Sequence, residues 1–323
     1  DHRDLHKEYR RQRQMCIRDR SLSESIKQAA LAQGFDVVGI ARVNPQQPEP
    51  ISPSQPPSTS PSKSLLQDLR NWLSNGYHGT MEWMAKNPER RADPQKVLPE
   101  CQSIICVGVN YWTDHDPNEA PGLGRIARYA WGKDYHRLLK KRLKNLERSI
   151  EELAPESTTR SYVDTGPVME KVWAQRAGLG WIGKHSNLVS SEFGSWLLIG
   201  EILTTLDLQP DETGTDLCGT CTLCIQTCPT HAITEPYVVD ATKCISYLTI
   251  EYRRELTSIS PELRSQMGNR IFGCDDCLDI CPYNVHATPT KEPAFLPTTQ
   301  TQHPNLLQPV SYTHLTLPTI LLV

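Results

Sequence analysis

The chain has 323 residues, which fits one large domain or two domains of ordinary size. Its formal net charge of −3 excludes a polycation that coats nucleic acid through net charge alone. No run of about 18 apolar residues is present, so we predict no transmembrane helix and no membrane partner. Cysteine is the unusual residue: there are 11, and eight lie between Cys218 and Cys281, which indicates a metal site or a disulfide framework.

The two ends of the chain differ from its middle. Residues 1–20 are rich in charge with almost no apolar periodicity, and residues 310–323 carry no charge. Stretches within both, MCIRDR and SYTHLTLPTILLV, resemble translated sequencing-adapter sequence, so we expect both ends to be non-native tails. The alternative is a disordered basic arm and a short C-terminal strand.

In chain order, the sequence first predicts an amphipathic helix that stops at Gly34, and then a buried strand. Residues 44–63 are rich in proline and serine and cannot bury a core, so we expect an exposed loop there. Strands then alternate with helices, which predicts a layered α/β or α+β domain. The predicted helices are 21–33, 65–75, 134–153 and 167–177, and the predicted strands are 35–41, 103–111 and 196–205.

Residues 125–148 are basic in a chain that is otherwise acidic: nine are Lys or Arg and two are acidic. Leu138, Leu139, Leu143 and Leu146 recur at helical spacing, so one helix face should pack while the other projects positive charge. The charged face is either an ordinary solvated surface or a binding site for a phosphate backbone. The sequence alone leaves both interpretations open.

Asp164 is a candidate for acid–base chemistry. It closes a short predicted strand and precedes the turn Thr165-Gly166-Pro167, which leads into the next helix. Its carboxylate either caps that helix by accepting main-chain N–H bonds, or faces a pocket. In a pocket it would act as a proton donor if burial raised its pKa. Spacing favours neither alternative.

Residues 178–184, GLGWIGK, fit the G-x-G-x-x-G spacing and nearly fit a P-loop. However, they follow a helix rather than a strand, and His185 stands where a P-loop needs Ser or Thr. We therefore predict a helix end and a loop whose glycines allow close contact with a flat ligand. Residues 134–136, DYH, begin a D-x-H-x-x-G corrinoid motif, but Leu139 replaces its glycine, so this pattern does not indicate a corrinoid.

Two cysteine motifs predict iron–sulfur clusters. The first, C-x2-C-x2-C-x3-C-P, spans 218–229, and the second, C-x2-C-x3-C-P, spans 274–282, with Cys244 between them. In two-cluster ferredoxins the fourth cysteine of each run binds the other cluster. We assign one [4Fe–4S] cluster to Cys218, Cys221, Cys224 and Cys281, and the other to Cys228, Cys244, Cys274 and Cys277.

Two other interpretations of the cysteines are weaker. Structural zinc would leave the triplet spacing and both Cys-Pro endings unexplained. A disulfide framework requires an oxidising compartment, which nothing in the sequence indicates. Of the remaining cysteines, Cys101 and Cys106 lie at a predicted strand and should be small buried apolar residues, and Cys16 lies in the N-terminal tail.

Five segments together closely resemble the epoxyqueuosine reductase family, and they occur in family order across residues 21–284. The segments are 128–136 (RYAWGKDYH), 163–170 (VDTGPVME), 174–184 (AQRAGLGWIGK), 244–251 (CISYLTIE) and 272–277 (FGCDDC). The resemblance implies a cytoplasmic enzyme with two [4Fe–4S] clusters and cobalamin that converts epoxyqueuosine at the tRNA wobble position to queuosine.

The resemblance also implies roles for particular residues. Asp164 matches the catalytic acid, which would protonate the epoxide oxygen while cobalamin, reduced by the clusters, attacks an epoxide carbon. Arg91, Asp164, Asn187, Leu188 and Ser246 are the expected cobalamin contacts. A base-off corrinoid would explain why the D-x-H-x-x-G motif is not required.

The implied organisation is a cobalamin-binding catalytic domain at 21–213 and a domain at 214–287 that resembles bacterial ferredoxins. Residues 288–309 would be the truncated start of a C-terminal region that contributes to tRNA binding in the family. The expected partners are tRNA carrying epoxyqueuosine and a low-potential electron donor, and we expect a monomer.

Two alternative functions are a corrinoid reductive dehalogenase and a ferredoxin-type electron carrier. The absence of an export signal and the basic segment 125–148 disfavour the first. A ferredoxin-type electron carrier would leave the residues before Cys218, including Asp164, without a function.

Overall fold

The computed structural model describes residues 21–43, 61–116, 120, 122–302 and 304–306. The expected tails at 1–20 and 310–323, Cys16, and residues 44–60 of the proline-rich segment lie outside the described residues. The helices are α1 (21–32), α2 (Pro61–Ser74), α3 (Glu82–Ala85), α4 (Pro88–Ala92), α5 (Tyr135–Leu153), α6 (Glu170–Arg176), α7 (Leu223–Thr227), α8 (Ile245–Ile250), α9 (Pro261–Met267), α10 (Asp276–Asp279) and α11 (Thr299–Gln302). The strands are β1 (Val37–Arg42), β2 (Ser103–Asn110), β3 (Arg125–Ile126), β4 (Thr159–Tyr162), β5 (Trp181–Ile182), β6 (Leu188–Val189), β7 (Leu197–Thr204), β8 (Ile233–Glu235), β9 (Val238–Val239) and β10 (Arg270–Phe272).

Four strands form the central sheet, in the order β1-β2-β7-β4. Every neighbouring pair is antiparallel, so of the two predicted classes α+β describes this sheet. The two inner strands pair along their whole length, from Ser103 opposite Thr204 to Asn110 opposite Leu197. All of β2 is buried, as its apolar sequence predicts.

Helices cover both faces of the sheet. On one face α1 and α5 pack against it, and the buried side of α5 carries three of the four leucines predicted from periodicity, Leu139, Leu143 and Leu146. On the other face α6 contributes Trp173 and Ala174 to a second apolar cluster. The result is a three-layered domain, as the alternation of helices and strands predicts.

Some predicted boundaries are wrong. Helix α2 begins at Pro61 rather than at residue 65, because proline is well suited to the first turn of a helix. Strand β4 ends at Tyr162, two residues before Asp164, and α6 begins at Glu170 rather than at 167. Val168 is buried in the second apolar cluster, which draws the segment between β4 and α6 into an irregular loop.

The cysteine-rich unit packs directly against the layered domain. Strand β10 pairs in parallel with β3, and the Asn284 side chain accepts a hydrogen bond of 3.0 Å from the main-chain N–H of Ser195. The following segment is anchored as well, because Phe295 is buried in the main core and Glu292 pairs with Arg142 of α5. No helix in the described part of the chain is long and apolar enough to cross a membrane.

Candidate functional site

Asp164 lies on the loop between β4 and α6, and its side chain is 49% exposed. We call this carboxylate and its neighbours Tyr135, His136, Glu170 and Lys171 the cleft. The Asp164 Oδ2 accepts a hydrogen bond of 2.9 Å from the Tyr135 hydroxyl and lies 3.5 Å from Nε2 of His136. Met169, not Asp164, occupies the N-cap of α6, so the predicted capping role is wrong.

The start of α5 orients these partners of Asp164. Asp134 caps the helix by accepting a hydrogen bond of 2.9 Å from the main-chain N–H of His136, and the same oxygen lies 2.8 Å from His136 Nδ1. The rings of Tyr135 and His136 stack with their centroids 4.0 Å apart. Since Asp134 occupies Nδ1, the imidazole turns its Nε2 toward Asp164.

Asp164 is ionised in this arrangement. Burial alone would raise the pKa of its carboxyl, but hydrogen bonds with His136 and Tyr135 leave that pKa below its ordinary value. Burial would lower the pKa of His136, yet its hydrogen bonds to Asp164 and Asp134 raise it overall. The condition under which Asp164 alone would be the proton donor, a pKa raised by burial, is therefore not met, because the proton of the pair is favoured on the imidazole.

Glu170, the first residue of α6, adds a second carboxyl to the cleft. Burial and the neighbouring Asp164 raise the pKa of Glu170 to about 8, so it keeps its proton at neutral pH. Its Oε1 is buried without a hydrogen-bond partner among the described residues. Arg91 interacts electrostatically with Glu170 from α4, and its guanidinium lies 5.0 Å from the centre of the Trp83 ring.

Lys171 connects the cleft to the predicted cofactor contact Asn187. Its Nζ donates hydrogen bonds of 2.6 Å to Asn187 Oδ1 and 3.1 Å to the Ser186 carbonyl. Leu188 is only 4% exposed and its side chain packs in the core, so only its main chain can face a ligand. Ser246 hydrogen-bonds the Cys244 thiol through its main chain and its side chain.

Glu201 is a buried carboxyl behind the cleft. It lies in the middle of β7, is 0% exposed, and neither of its carboxyl oxygens has a hydrogen-bond partner among the described residues. Burial, with Glu170 and Asp164 nearby, raises its pKa well above the ordinary value, so it is protonated at neutral pH. Sequence reasoning missed it, although a charged residue inside the apolar run WLLIGEILTT was a visible signal.

Four thiols, which we call the outer thiol set, surround one cavity of about 350 Å³. The set consists of Cys218, Cys221, Cys224 and Cys281, and exposed apolar side chains such as Leu217 and Leu223 adjoin it. Burial raises the pKa of the Cys224 thiol, and the other three thiols raise it further, which reflects their proximity.

The other four thiols form a separate group, the inner thiol set, which consists of Cys228, Cys244, Cys274 and Cys277. Burial raises the pKa of the Cys277 thiol well above its ordinary value, and the three other thiols add to this. These electrostatic interactions group the eight cysteines in the same way as the motif spacing, and their assignment as cluster ligands stays a prediction. All ten cysteines in the described part of the chain are free, and Cys101 and Cys106 are fully buried as predicted.

Lys171 relates the inner thiol set to the acid–base residues. Burial lowers the pKa of Lys171, whereas Glu170 and Asp164 raise it electrostatically, as do Cys277 and Cys244. One ammonium group is therefore close both to the acid–base residues and to two predicted cluster ligands.

The glycine-rich segment 178–184 is a helix end followed by a close-approach loop, as predicted. Gly178 and Gly180 have φ values of +79° and +156°. A Cβ at Gly180 would lie 2.0 Å from the carbonyl oxygen of Val189. The close partner at Gly180 is the protein backbone itself, and not a flat ligand.

Comparisons with known proteins agree with this organisation. Residues 91–165 match the family model described as epoxyqueuosine reductase QueG, DUF1730, and residues 217–284 match a 4Fe-4S double cluster binding domain. The epoxyqueuosine reductase of Synechocystis sp. is 47% identical over 254 residues, which cover 78% of this chain and 86% of that protein. The Cellulophaga algicola enzyme is 41% identical, with coverage of 88% and 85%.

The fold comparison leads to the same family. The crystal structure of an epoxyqueuosine reductase with a tRNA-Tyr epoxyqueuosine-modified stem loop matches with a TM-score of 0.75 and 30% sequence identity, covering 88% of this chain and 71% of that one. A selenomethionine-labelled epoxyqueuosine reductase gives a TM-score of 0.76. The resemblance noted in the sequence motifs is confirmed, and this chain belongs to the epoxyqueuosine reductase family.

Proposed function

We propose that this chain reduces the epoxide of epoxyqueuosine in tRNA to give queuosine. The observation that carries the proposal is the position of the Asp164–His136 pair beside Lys171, which interacts electrostatically with Asp164 and with two thiols of the inner set. Reduction of an epoxide needs a proton donor and an electron source at one place, and this juxtaposition supports both. The relative that binds an epoxyqueuosine-modified stem loop supports the substrate class.

The two thiol sets fit two [4Fe–4S] clusters, since each contains the four thiols that one cluster requires. We assign one cluster to the outer thiol set and the other to the inner thiol set. Because two thiols of the inner set interact with Lys171 in the cleft, electrons that enter at the outer cluster would pass through the inner one.

The cleft also fits a large polar cofactor such as cobalamin. Arg91 Nε and Glu170 Oε1 are buried and lack a hydrogen-bond partner within the described residues, which a polar ligand would relieve. Arg91, Asp164, Asn187 and the main chain of Leu188 would hold it, with Ser246 at the edge beside Cys244. When bound, cobalamin supplies a strongly reducing metal centre for the epoxide carbon.

Asp164 and His136 supply the protons for the proposed reaction. Removal of an epoxide oxygen as water consumes two electrons and two protons. We propose that His136 Nε2, 3.5 Å away, gives its proton to the ionised Asp164, which passes it to the oxygen. Solvent then returns a proton to His136, and the same pair delivers this second proton. The Tyr135 hydroxyl holds the carboxylate in place, and Asp134 fixes the imidazole ring.

The exposed basic face of α5 supports tRNA binding. Of the basic residues at 125–148, Arg125 and Arg128 lie within ion-pair distance of Asp279, and Arg142 pairs with Glu292, so these three serve the fold. The exposed remainder starts close to the cleft, where Tyr135 and His136 contact Asp164. It comprises Lys133, Arg137, Lys140, Lys141, Lys144 and Arg148. We assign this face to tRNA phosphates.

We further propose that residues 21–213 form the catalytic domain, that 214–287 form the cluster domain, and that 288–309 begin the C-terminal region. The proposed protein is a cytoplasmic monomer that receives electrons from a low-potential donor.

Anaerobic reconstitution tests the cofactor assignment. We expect about eight iron atoms per chain, as two [4Fe–4S] clusters require, together with one corrinoid. Cys244→Ala should lose about half of the iron by removing the inner cluster, whereas Cys101→Ala, which changes a buried thiol outside both sets, should keep all of it. Zinc in place of iron, or full iron content in Cys244→Ala, would contradict the assignment.

A further inference from the structure

The segment 178–184 has two side chains that reach the outer thiol set. Trp181 is 2% exposed, and its indole Nε1 donates a hydrogen bond to the Cys218 sulfur over 3.4 Å. Tyr283 packs edge-on against the indole, with ring centroids 4.7 Å apart. Strand β5 and this aromatic contact therefore hold the indole N–H against the sulfur.

Lys184 places a buried positive charge beside the same thiols. Its residue is 8% exposed, and its Nζ donates hydrogen bonds of 2.6 Å and 2.8 Å to the carbonyls of Gly219 and Cys221. Both acceptors are neutral, so these bonds leave the ammonium charge uncompensated. Asp216 accepts a hydrogen bond from the Cys218 N–H, but it is exposed, and solvent screens its charge.

We propose that Trp181 and Lys184 are positioning residues that raise the reduction potential of the outer cluster. Reduction adds a negative charge to the cluster, and both an N–H···S bond and a nearby buried cation stabilise that charge. The two cations near the inner set each have a carboxylate beside them: Arg270, which interacts with Cys274, is paired with Asp276, and Lys171, which interacts with Cys277 and Cys244, also interacts with the ionised Asp164. Lys184 has no such partner among the hydrogen bonds described above. The inference rests on the cluster ligands assigned under the proposed function.

Redox titration of the reconstituted full chain, followed by electron paramagnetic resonance, tests this inference. Trp181→Phe and Lys184→Met should each lower one of the two midpoint potentials and leave the other unchanged. We expect a change on the order of tenfold in the one-electron reduction equilibrium, which corresponds to about 59 mV. Lys184→Arg keeps the charge and should stay close to the wild-type potential.

Trp173→Phe is the matched control for loss of an indole, because Trp173 is equally buried and its Nε1 has no partner among the described residues. It should leave both midpoints unchanged. If Trp181→Phe does not retain iron, the midpoint potentials of Lys184→Met and Lys184→Arg are compared. A lower potential in Lys184→Met than in Lys184→Arg supports the inference, and equal potentials contradict it. Variants with full iron and unmoved midpoints overturn this inference alone, whereas a wild-type chain that binds no clusters overturns the proposed function as well.

Discussion

Asp164 depends on two side chains from a different element, Tyr135 and His136, for its position and its protonation state. The sequence identifies Asp164 as either a helix cap or a pocket acid, because its place before a turn is a local feature. Tyr135 and His136 lie in the segment that matches only the start of the D-x-H-x-x-G corrinoid motif. No local feature of the sequence predicts that α5 places them next to the β4–α6 loop. The tertiary structure excludes the helix-cap role, and the hydrogen bonds from His136 and Tyr135 hold the pKa of Asp164 below its ordinary value.

Asp164→Asn should retain both clusters and the corrinoid and lose turnover. A side amide cannot relay the proton, and general acid catalysis typically contributes on the order of 10²–10⁴-fold. Single-turnover conversion of epoxyqueuosine measures this loss. Asp207→Asn, which affects an exposed ion pair with Arg42, is the control and should react like the wild type. An Asp164→Asn rate within about twofold of wild type would show that this carboxyl transfers no proton.

Glu170 makes the stability of the chain depend on pH. Its folded-state pKa of about 8 lies above the ordinary value of 4.5, so its contribution to stability is complete below 4.5 and is lost as the pH rises to about 8. The amide of Glu170→Gln does not titrate, so the variant does not lose this stability as the pH rises. The melting temperature of Glu170→Gln should therefore rise relative to wild type between pH 5 and pH 8.5.

Glu151→Gln, which changes an exposed carboxyl on α5, is the control for this measurement. Its melting temperature should parallel that of the wild type over the same pH range. A constant difference between Glu170→Gln and wild type across this range would contradict the raised pKa of Glu170.

At the scale of elements, α5 was predictable and α6 was less so. The leucine periodicity of α5 coincides with its buried face, and Asp134 provides a recognisable cap. Helix α6 begins at Glu170 instead of the predicted residue 167 because Val168 packs in the second apolar cluster. This packing depends on the tertiary structure and cannot be read from the local sequence. The strand order of the sheet was not predictable either, because β2 pairs with β7 across many intervening residues.

Lys140→Ala combined with Lys141→Ala should weaken tRNA binding through loss of phosphate contacts. Each lost contact should reduce the slope of log affinity against log salt by about 0.7–0.9. Binding of a tRNA stem loop at several salt concentrations measures the slope. Arg264→Ala on α9 is the control and should leave it unchanged. An unchanged slope in the double variant would identify the α5 face as an ordinary solvated surface.

Across the whole molecule, the grouping of the eight cysteines is predictable from the sequence, whereas their position relative to Asp164 is not. Their predicted division into two sets follows from local spacing, and the thiols that interact electrostatically in the structure belong to the same set. That the inner set lies next to Lys171 and the Asp164 cleft depends on how the cysteine-rich unit packs on the sheet. This packing brings the predicted inner cluster ligands close to the Asp164–His136 pair. The spacing of the cysteine motifs does not predict it.

Removal of the epoxide oxygen of epoxyqueuosine in tRNA is the reaction proposed for this chain. Nucleoside analysis of tRNA measures it in a strain that accumulates epoxyqueuosine and expresses this chain. We expect queuosine to appear with the wild-type chain and to be absent with Asp164→Asn at equal iron and corrinoid content. Persistent epoxyqueuosine with a wild-type chain that carries both clusters and the corrinoid would contradict this proposal.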